Sequence, residues 1–161
     1  MPVPSFSHIK DDGSAVMVDV GGKDISSRRA VAGASVVLNA HTFELLRHKA
    51  LPKGDALAVA KTAGIMAAKQ TAALIPLCHS LALDFVDLSF ELEEKTHSVH
   101  IRAEVRLAAR TGVEMEALCA VQIAALTIYD MCKAAQKDIK ITNCRLLHKS
   151  GGRSGTYDAE G

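Results

Sequence analysis

The spacing of apolar and polar positions divides the chain into segments of two periods. Two neighbouring stretches alternate strictly. In 82–93, Leu83, Phe85, Asp87, Ser89 and Glu91 interleave with Val86, Leu88, Phe90 and Leu92. In 98–107, Val99, Ile101, Ala103, Val105 and Leu107 interleave with His100, Arg102, Glu104 and Arg106. A period of two with one apolar side predicts an antiparallel hairpin, turned over residues 93–97. The valines and small residues of 29–39 predict a further strand, 139–147 a last one, and MVDV (17–20) a short extended piece before the Gly21-Gly22 turn. Elsewhere the period is helical. A short helix is predicted over 41–48 with Thr42 as its cap. A longer one runs from an Asp55 cap to about Leu74, stopped by Pro76, and the longest spans 113–135. The order strand, helices, two strands, helix, strand predicts an α+β fold, a ferredoxin-like antiparallel sheet with helices packed on one face. Residues 1–14, broken by Pro2, Pro4 and Gly13, read as a loose arm, 15–157 as one domain and 158–161 as a tail.

Composition narrows the function classes. The 161 residues fit one domain, and 48% apolar content is enough for a core. A net charge of +1 lacks the basic footprint of a nucleic-acid coat, and 4% aromatics with no Trp argues against base-stacking platforms. Phe85 and Phe90 have opposite parity, so they cannot form a stacking pair on one sheet face. The apolar run 55–78 is interrupted by Lys61 and Lys69, and the first residues hold no stretch long enough for a signal peptide, so neither membrane insertion nor export is expected. Four cysteines without a CxxC pair suit a reducing compartment. The neutral total conceals segregation: between Lys133 and Arg153 lie six Lys/Arg and one Asp.

The candidate chemistry follows from these charges. In KSGGRSG (149–155), glycines allow backbone N–H groups to approach an anion, and Lys149 and Arg153 supply charge. A solvated, flexible loop is the competing reading, and the spacing is not that of a P-loop. Lys53 precedes the predicted N-terminus capped by Asp55, which suits phosphate as well as a plain cap. Lys69 lies in an Ala-rich run and either points into a cleft or snorkels. Cys78 and His79 are adjacent and so disfavour shared metal chelation; no metal site is expected, and His79 fits acid–base work or a phosphate contact. Glu114 and Glu116 open the long helix. Asp130 and Lys133, three apart, share a face near its end, where the ordinary reading is a salt bridge. In a continuous helix Glu116 and Asp130 stand about 21 Å apart and cannot converge on one small substrate within one chain. Either they serve different ends of a substrate or a second subunit brings one to the other, a hint of an interfacial site.

MVDV (17–20), KGDALAVAKTAGIMAAKQTAALIPLCHSL (53–81), TGVEMEALCAVQIAALTIYDMCKA (111–134) and RLLHKSGGRSG (145–155) together resemble the MoaC-type cyclic pyranopterin monophosphate synthase family of molybdenum-cofactor biosynthesis. The likeness covers about 15–157. It implies conversion of 3′,8-cyclo-7,8-dihydro-GTP, supplied by an upstream radical-SAM GTP cyclase, to cyclic pyranopterin monophosphate with release of pyrophosphate. It implies a homohexamer, a trimer of dimers, with active sites at the dimer interfaces. By the same resemblance Asp130, Lys133 and Lys53 are the catalytic set. Lys69, Cys78, His79, Glu114, Met115, Glu116, Lys149 and Arg153 are the substrate contacts, with Lys69, His79, Lys149 and Arg153 on the triphosphate.

The chain departs from the family pattern at Ser80, where Pro is usual, at Cys119, where Thr is common, and at Arg153, where Lys is common. None of these removes a catalytic group, though Ser80 could loosen the loop that aims His79. No cofactor is required, and a divalent cation held with the triphosphate stays open. A cytoplasmic location is expected, or the mitochondrial matrix in a eukaryote. The competing function is a non-catalytic regulatory module that binds a GTP-like nucleotide without turnover.

Overall fold

A computed structural model describes residues 9, 10 and 12–159. Nine elements follow one another: β1 (Ser26–Val37), α1 (Ala40–Arg47), α2 (Ala56–Lys69), α3 (Thr71–Leu74), β2 (Phe85–Glu93), β3 (Ser98–Ala109), α4 (Glu114–Cys132), β4 (Lys140–Ser150) and β5 (Tyr157–Asp158). The strands form one sheet in the order β2-β3-β1-β4-β5, antiparallel throughout. The first four strands give the ferredoxin-like order.

The alternation decides which way the sheet faces. Ala30, Ala32, Ala34 and Val36 of β1 join Val99, Ile101, Ala103, Val105 and Leu107 of β3 in one buried cluster with α2 and α4. The opposite face carries the polar set, with Arg29 bonded to Glu104 through two hydrogen bonds of 2.9 Å. Phe85, at the start of β2, lies on this outer face beneath the Arg106 guanidinium, 3.9 Å from the ring centroid. Helix α4 is long and apolar enough to cross a membrane by length and composition. Its Ala117, Ala120, Val121, Ala124, Ala125 and Ile128 are fully buried against the sheet and α2, which marks it as the core helix of this fold.

Small residues let α2 reach α4. A Cβ placed on Gly64 would stand 2.5 Å from Leu88 Cδ2 and 2.9 Å from the Ala120 carbonyl oxygen. The backbone oxygen cannot rotate aside, so the helices would have to separate. Gly64→Ala is expected to lower stability by about 1–3 kcal/mol despite its better helix propensity. Thermal unfolding checks this, and an unchanged or raised melting temperature would contradict it.

Several sequence expectations need correction. MVDV (17–20) forms no strand; Val18 instead offers its carbonyl to His79. The cap of α1 is Asn39, whose side chain accepts from the Thr42 N–H at 2.8 Å, while Thr42 is buried inside the helix. The predicted helix to Leu74 breaks at Gln70. There the Thr71 hydroxyl donates to the carbonyls of Ala67 and Ala68, ending α2 before α3 begins. The loop expected at 149–155 begins inside β4, since Lys149 and Ser150 pair with Ala30 and Arg29. It then returns as β5, which the sequence reading lacks, so the boundary drawn at 157 falls inside a strand. Of the arm, Ile9 bridges to Ala15 and the Lys10 N–H donates to the Ser14 carbonyl at 3.0 Å, while residues 1–8 and 11 lie outside the described residues.

Candidate active site

Two groups of functional side chains sit at opposite ends of α4. At its C-terminal end, the Asp130 carboxylate stands between two lysines. Lys53 Nζ donates to Oδ2 at 2.7 Å and to the Asp130 main-chain oxygen at 3.0 Å, and Lys133 Nζ lies 3.1 Å from Oδ1. Lys133 arrives by helical spacing, Lys53 from the turn ahead of α2. The hydrogen bond from Lys53, followed by that from Lys133, holds the Asp130 carboxyl below its ordinary pKa. The trio is open to solvent, with side-chain exposures of 43% for Lys53 and 53% for both Asp130 and Lys133.

At the other end, a cleft of about 460 Å³ opens beside the first turn of α4. Its lining brings together Lys149, Arg153 and Glu114, as the sequence indicated, with Lys23, Arg28 and Arg110. Lys149 Nζ lies 3.1 Å from Glu114 Oε1 and donates to Ser154 Oγ at 3.3 Å. Arg28 donates to the carbonyls of Ala109 and Arg110, and Arg110 to that of Lys23, and among the described residues neither guanidinium pairs with a carboxylate. Arg29, also in the lining, is committed to Glu104. Six cations against Asp24 and Glu114 make this a strongly positive hollow.

The glycines of KSGG shape its wall. Gly151 and Gly152 have φ of 99° and 74°, where a side chain is strained. A Cβ on Gly151 would overlap the Ser27 carbonyl oxygen, and one on Gly152 would overlap the Arg28 guanidinium. The turn is thus packed directly on the cations of the cleft.

A smaller hollow of about 240 Å³ adjoins the cleft through Lys23 and Thr111 and holds Cys78, His79, Met115 and Glu116. His79 Nε2 donates to the Val18 carbonyl at 2.8 Å, which fastens the 17–20 segment over the hollow. Ser80 does not prevent this placement. Cys78 is held above the ordinary thiol pKa, first by burial and then by the charges of Glu116 and Cys119, so it is a neutral lining group and not an activated nucleophile. Lys69 borders a third hollow with His79 and Glu116. Lys69 and His79 line that hollow, whereas Lys149 and Arg153 line the larger cleft that adjoins the hollow of Cys78 and His79.

Glu116 is 4% exposed, and burial, reinforced by the charge of Glu114, pushes its carboxyl up to about 7. A raised acid means that the folded chain retains a proton the unfolded chain releases. Stability from this group is full below about pH 4.5 and declines as pH rises through about 7. Glu116→Gln should remove that decline, gaining on the parent by about 2 kcal/mol between pH 5 and 8. Parallel denaturation curves at the two pH values test this, and an equal pH dependence in parent and variant would contradict it.

The model of the MoaC family matches residues 17–152, including both ends of α4. The chain belongs to the MoaC family. It is 58% identical over 156 residues to a cyclic pyranopterin monophosphate synthase of Nitratidesulfovibrio vulgaris, 97% of each chain being covered. Synthases of the same name from Bordetella pertussis and Chloroflexus aggregans are 53% and 51% identical. These alignments cover 96% of both chains in the first case, and 98% of this chain and 96% of the relative in the second.

The resemblance of the whole chain to the MoaC family therefore holds. Lys23, Arg28 and Arg110 are the cleft residues that sequence reasoning missed. Arg28 lies near the start of β1 and Arg110 just past the end of β3, where Arg28 donates to the Arg110 carbonyl at 3.2 Å, and no local pattern in the sequence joins them. Among the described residues, no group of three His, Cys, Asp or Glu side chains is arranged to hold a metal ion.

Proposed function

We propose that the chain converts 3′,8-cyclo-7,8-dihydro-GTP to cyclic pyranopterin monophosphate with release of pyrophosphate, an early step of molybdenum-cofactor biosynthesis. The observation that carries the reading is the cationic cleft of about 460 Å³ at one end of α4, with the Lys53–Asp130–Lys133 trio at the other. Clustered guanidiniums and a lysine on a glycine turn suit a triphosphate. Lys149, Arg153, Arg28 and Arg110 bind it and stabilise the charge that develops on departing pyrophosphate when a sugar hydroxyl attacks the α-phosphorus. The trio moves protons on the purine-derived ring: Lys53 and Lys133 exchange protons with it, and the Asp130 carboxylate orients both amines by accepting their hydrogen bonds. Glu116, a carboxyl titrating near neutrality, can both donate to and accept from ring nitrogens.

The two ends lie about 21 Å apart on one helix, so the working site combines the trio of one copy with the cleft of another. The open trio of the single chain supports this, because such lysines transfer protons best when partly desolvated. The assembly we propose is a hexamer built as a trimer of dimers, acting in the cytoplasm on the product of a radical-SAM GTP cyclase. A divalent cation can join the triphosphate without a dedicated protein site. The test is pyrophosphate release from the cyclised GTP by the purified protein. One pyrophosphate per pterin formed is expected; binding without release would favour the regulatory nucleotide-binding module instead.

A further inference from the structure

β5 is a slight anchor for the turn that walls the charged cleft. It is two residues long, paired to β4 only as His148–Asp158 and Lys149–Tyr157, with one further bond from the Ala159 N–H to the Leu147 carbonyl at 2.8 Å. An edge strand of this length has little hold of its own. Yet it returns the turn over 151–156, whose Gly151, Gly152, Arg153 and Ser154 line the cleft.

The two ladder pairs point to opposite faces. Lys149 stands opposite Ala30, a residue of the helix-covered face, and there meets Glu114. His148 stands opposite Val31 on the outer face. Its Nδ1 lies 2.6 Å from Asp158 Oδ1, and its side chain is 19% exposed, against 72% for that of Asp158. Asp158 is also near enough to Arg29 to help hold that guanidinium in its charged form, after the dominant hydrogen bonding of Arg29 to Glu104 and the charge of Glu104. The outer face therefore carries a line of charges from Glu104 through Arg29 to Asp158, which lies on the one strand that closes the turn and there meets the His148 ring.

We propose that His148 and Asp158 form a clip on the outer face of the sheet that positions the 151–156 turn, and with it Lys149 and Arg153, for anion binding on the inner face. Neither residue is in the cleft lining, so both are positioning residues. This rests on the reading of the cleft as the triphosphate site. The clip keeps the turn closed before the anion arrives, which lowers the ordering cost of binding and leaves the distant proton transfers alone.

The test uses the full-length protein with inorganic tripolyphosphate as probe, turnover kinetics, and amide hydrogen exchange over 148–159. His148→Ala and Asp158→Ala are each expected to weaken tripolyphosphate binding and raise KM about three- to fivefold, with kcat almost unchanged. The double variant should be no weaker than either single one, because both remove the same contact. Asp158→Asn, which keeps the acceptor, should recover most of the loss, and exchange over the turn should quicken in the Ala variants alone. Binding at the parental level in both single variants, or losses that multiply in the double variant, would overturn the clip. If the parent itself failed to bind tripolyphosphate, the cleft reading would fall. The clip would then stand if exchange over the turn quickened and fall if it did not.

Discussion

Asp130→Asn should lower kcat by about a thousandfold, and Lys133→Ala should abolish product formation, while the assembly stays intact. Asp130 is the shared acceptor of two lysines that the chain brings together from distant positions, at 2.7 Å and 3.1 Å. Removing its charge leaves Lys53 and Lys133 close together without a counter-ion, so neither their geometry nor their proton affinity is preserved. All three groups are solvent-exposed in the single chain, so the fold has little stake in them. Turnover assays paired with sedimentation separate the two effects. Parental turnover in purified Lys133→Ala would remove this residue from the reaction. A dissociated variant would instead place the trio in assembly.

A second large effect should appear on mixing two inactive variants. Lys133→Ala lacks the trio of one end of α4, and Lys149→Ala the cleft cation of the other. If each working site draws one end from each of two copies, a mixed pair regains one intact site and keeps one doubly damaged site. Random reassortment of equal amounts then restores about a quarter of parental activity from two preparations that have almost none. Subunit exchange under mild denaturant, followed by the pyrophosphate assay, measures this. Absence of recovery after demonstrated exchange would confine each site to a single chain. The outcome does not depend on the order of the proton transfers.

How much of this was legible beforehand differs from element to element. The hairpin of β2 and β3 was plain because its period of two runs unbroken from Leu88 to Leu92 and from Val99 to Leu107, with one face buried along β3 and buried or half-buried along β2. The Asp130–Lys133 pair was legible from helical spacing alone. Their link to Lys53, 77 residues away, was not, because no local period records how α2 and α4 dock. Gly64 settles that docking, and a lone glycine in a helical run looks like a defect until the facing carbonyl is known. β5 escaped for another reason: two residues cannot show an alternation, and Tyr157 and Asp158 become a strand only because His148 and Lys149 offer a partner. The cleft was half visible. Its glycine turn and Lys149 stand together in the sequence, whereas Arg28 and Arg110 are joined only by strand register.

That register also bears on how the protein survives at high concentration. β4 is an edge strand over most of its length, since β5 covers only His148 and Lys149. Its pairing to β1 is interrupted twice, between Val31 and Ala32 and between Gly33 and Ser35, and Asn143 sits at a φ of 54°. Lys140 and Arg145 add exposed charge along the same strand. A ladder broken in this way offers a newly made neighbour no straight row of amides to copy, and cations repel a second identical edge. The irregularities that bend β4 thus guard the folded chain against runaway strand addition along its open edge.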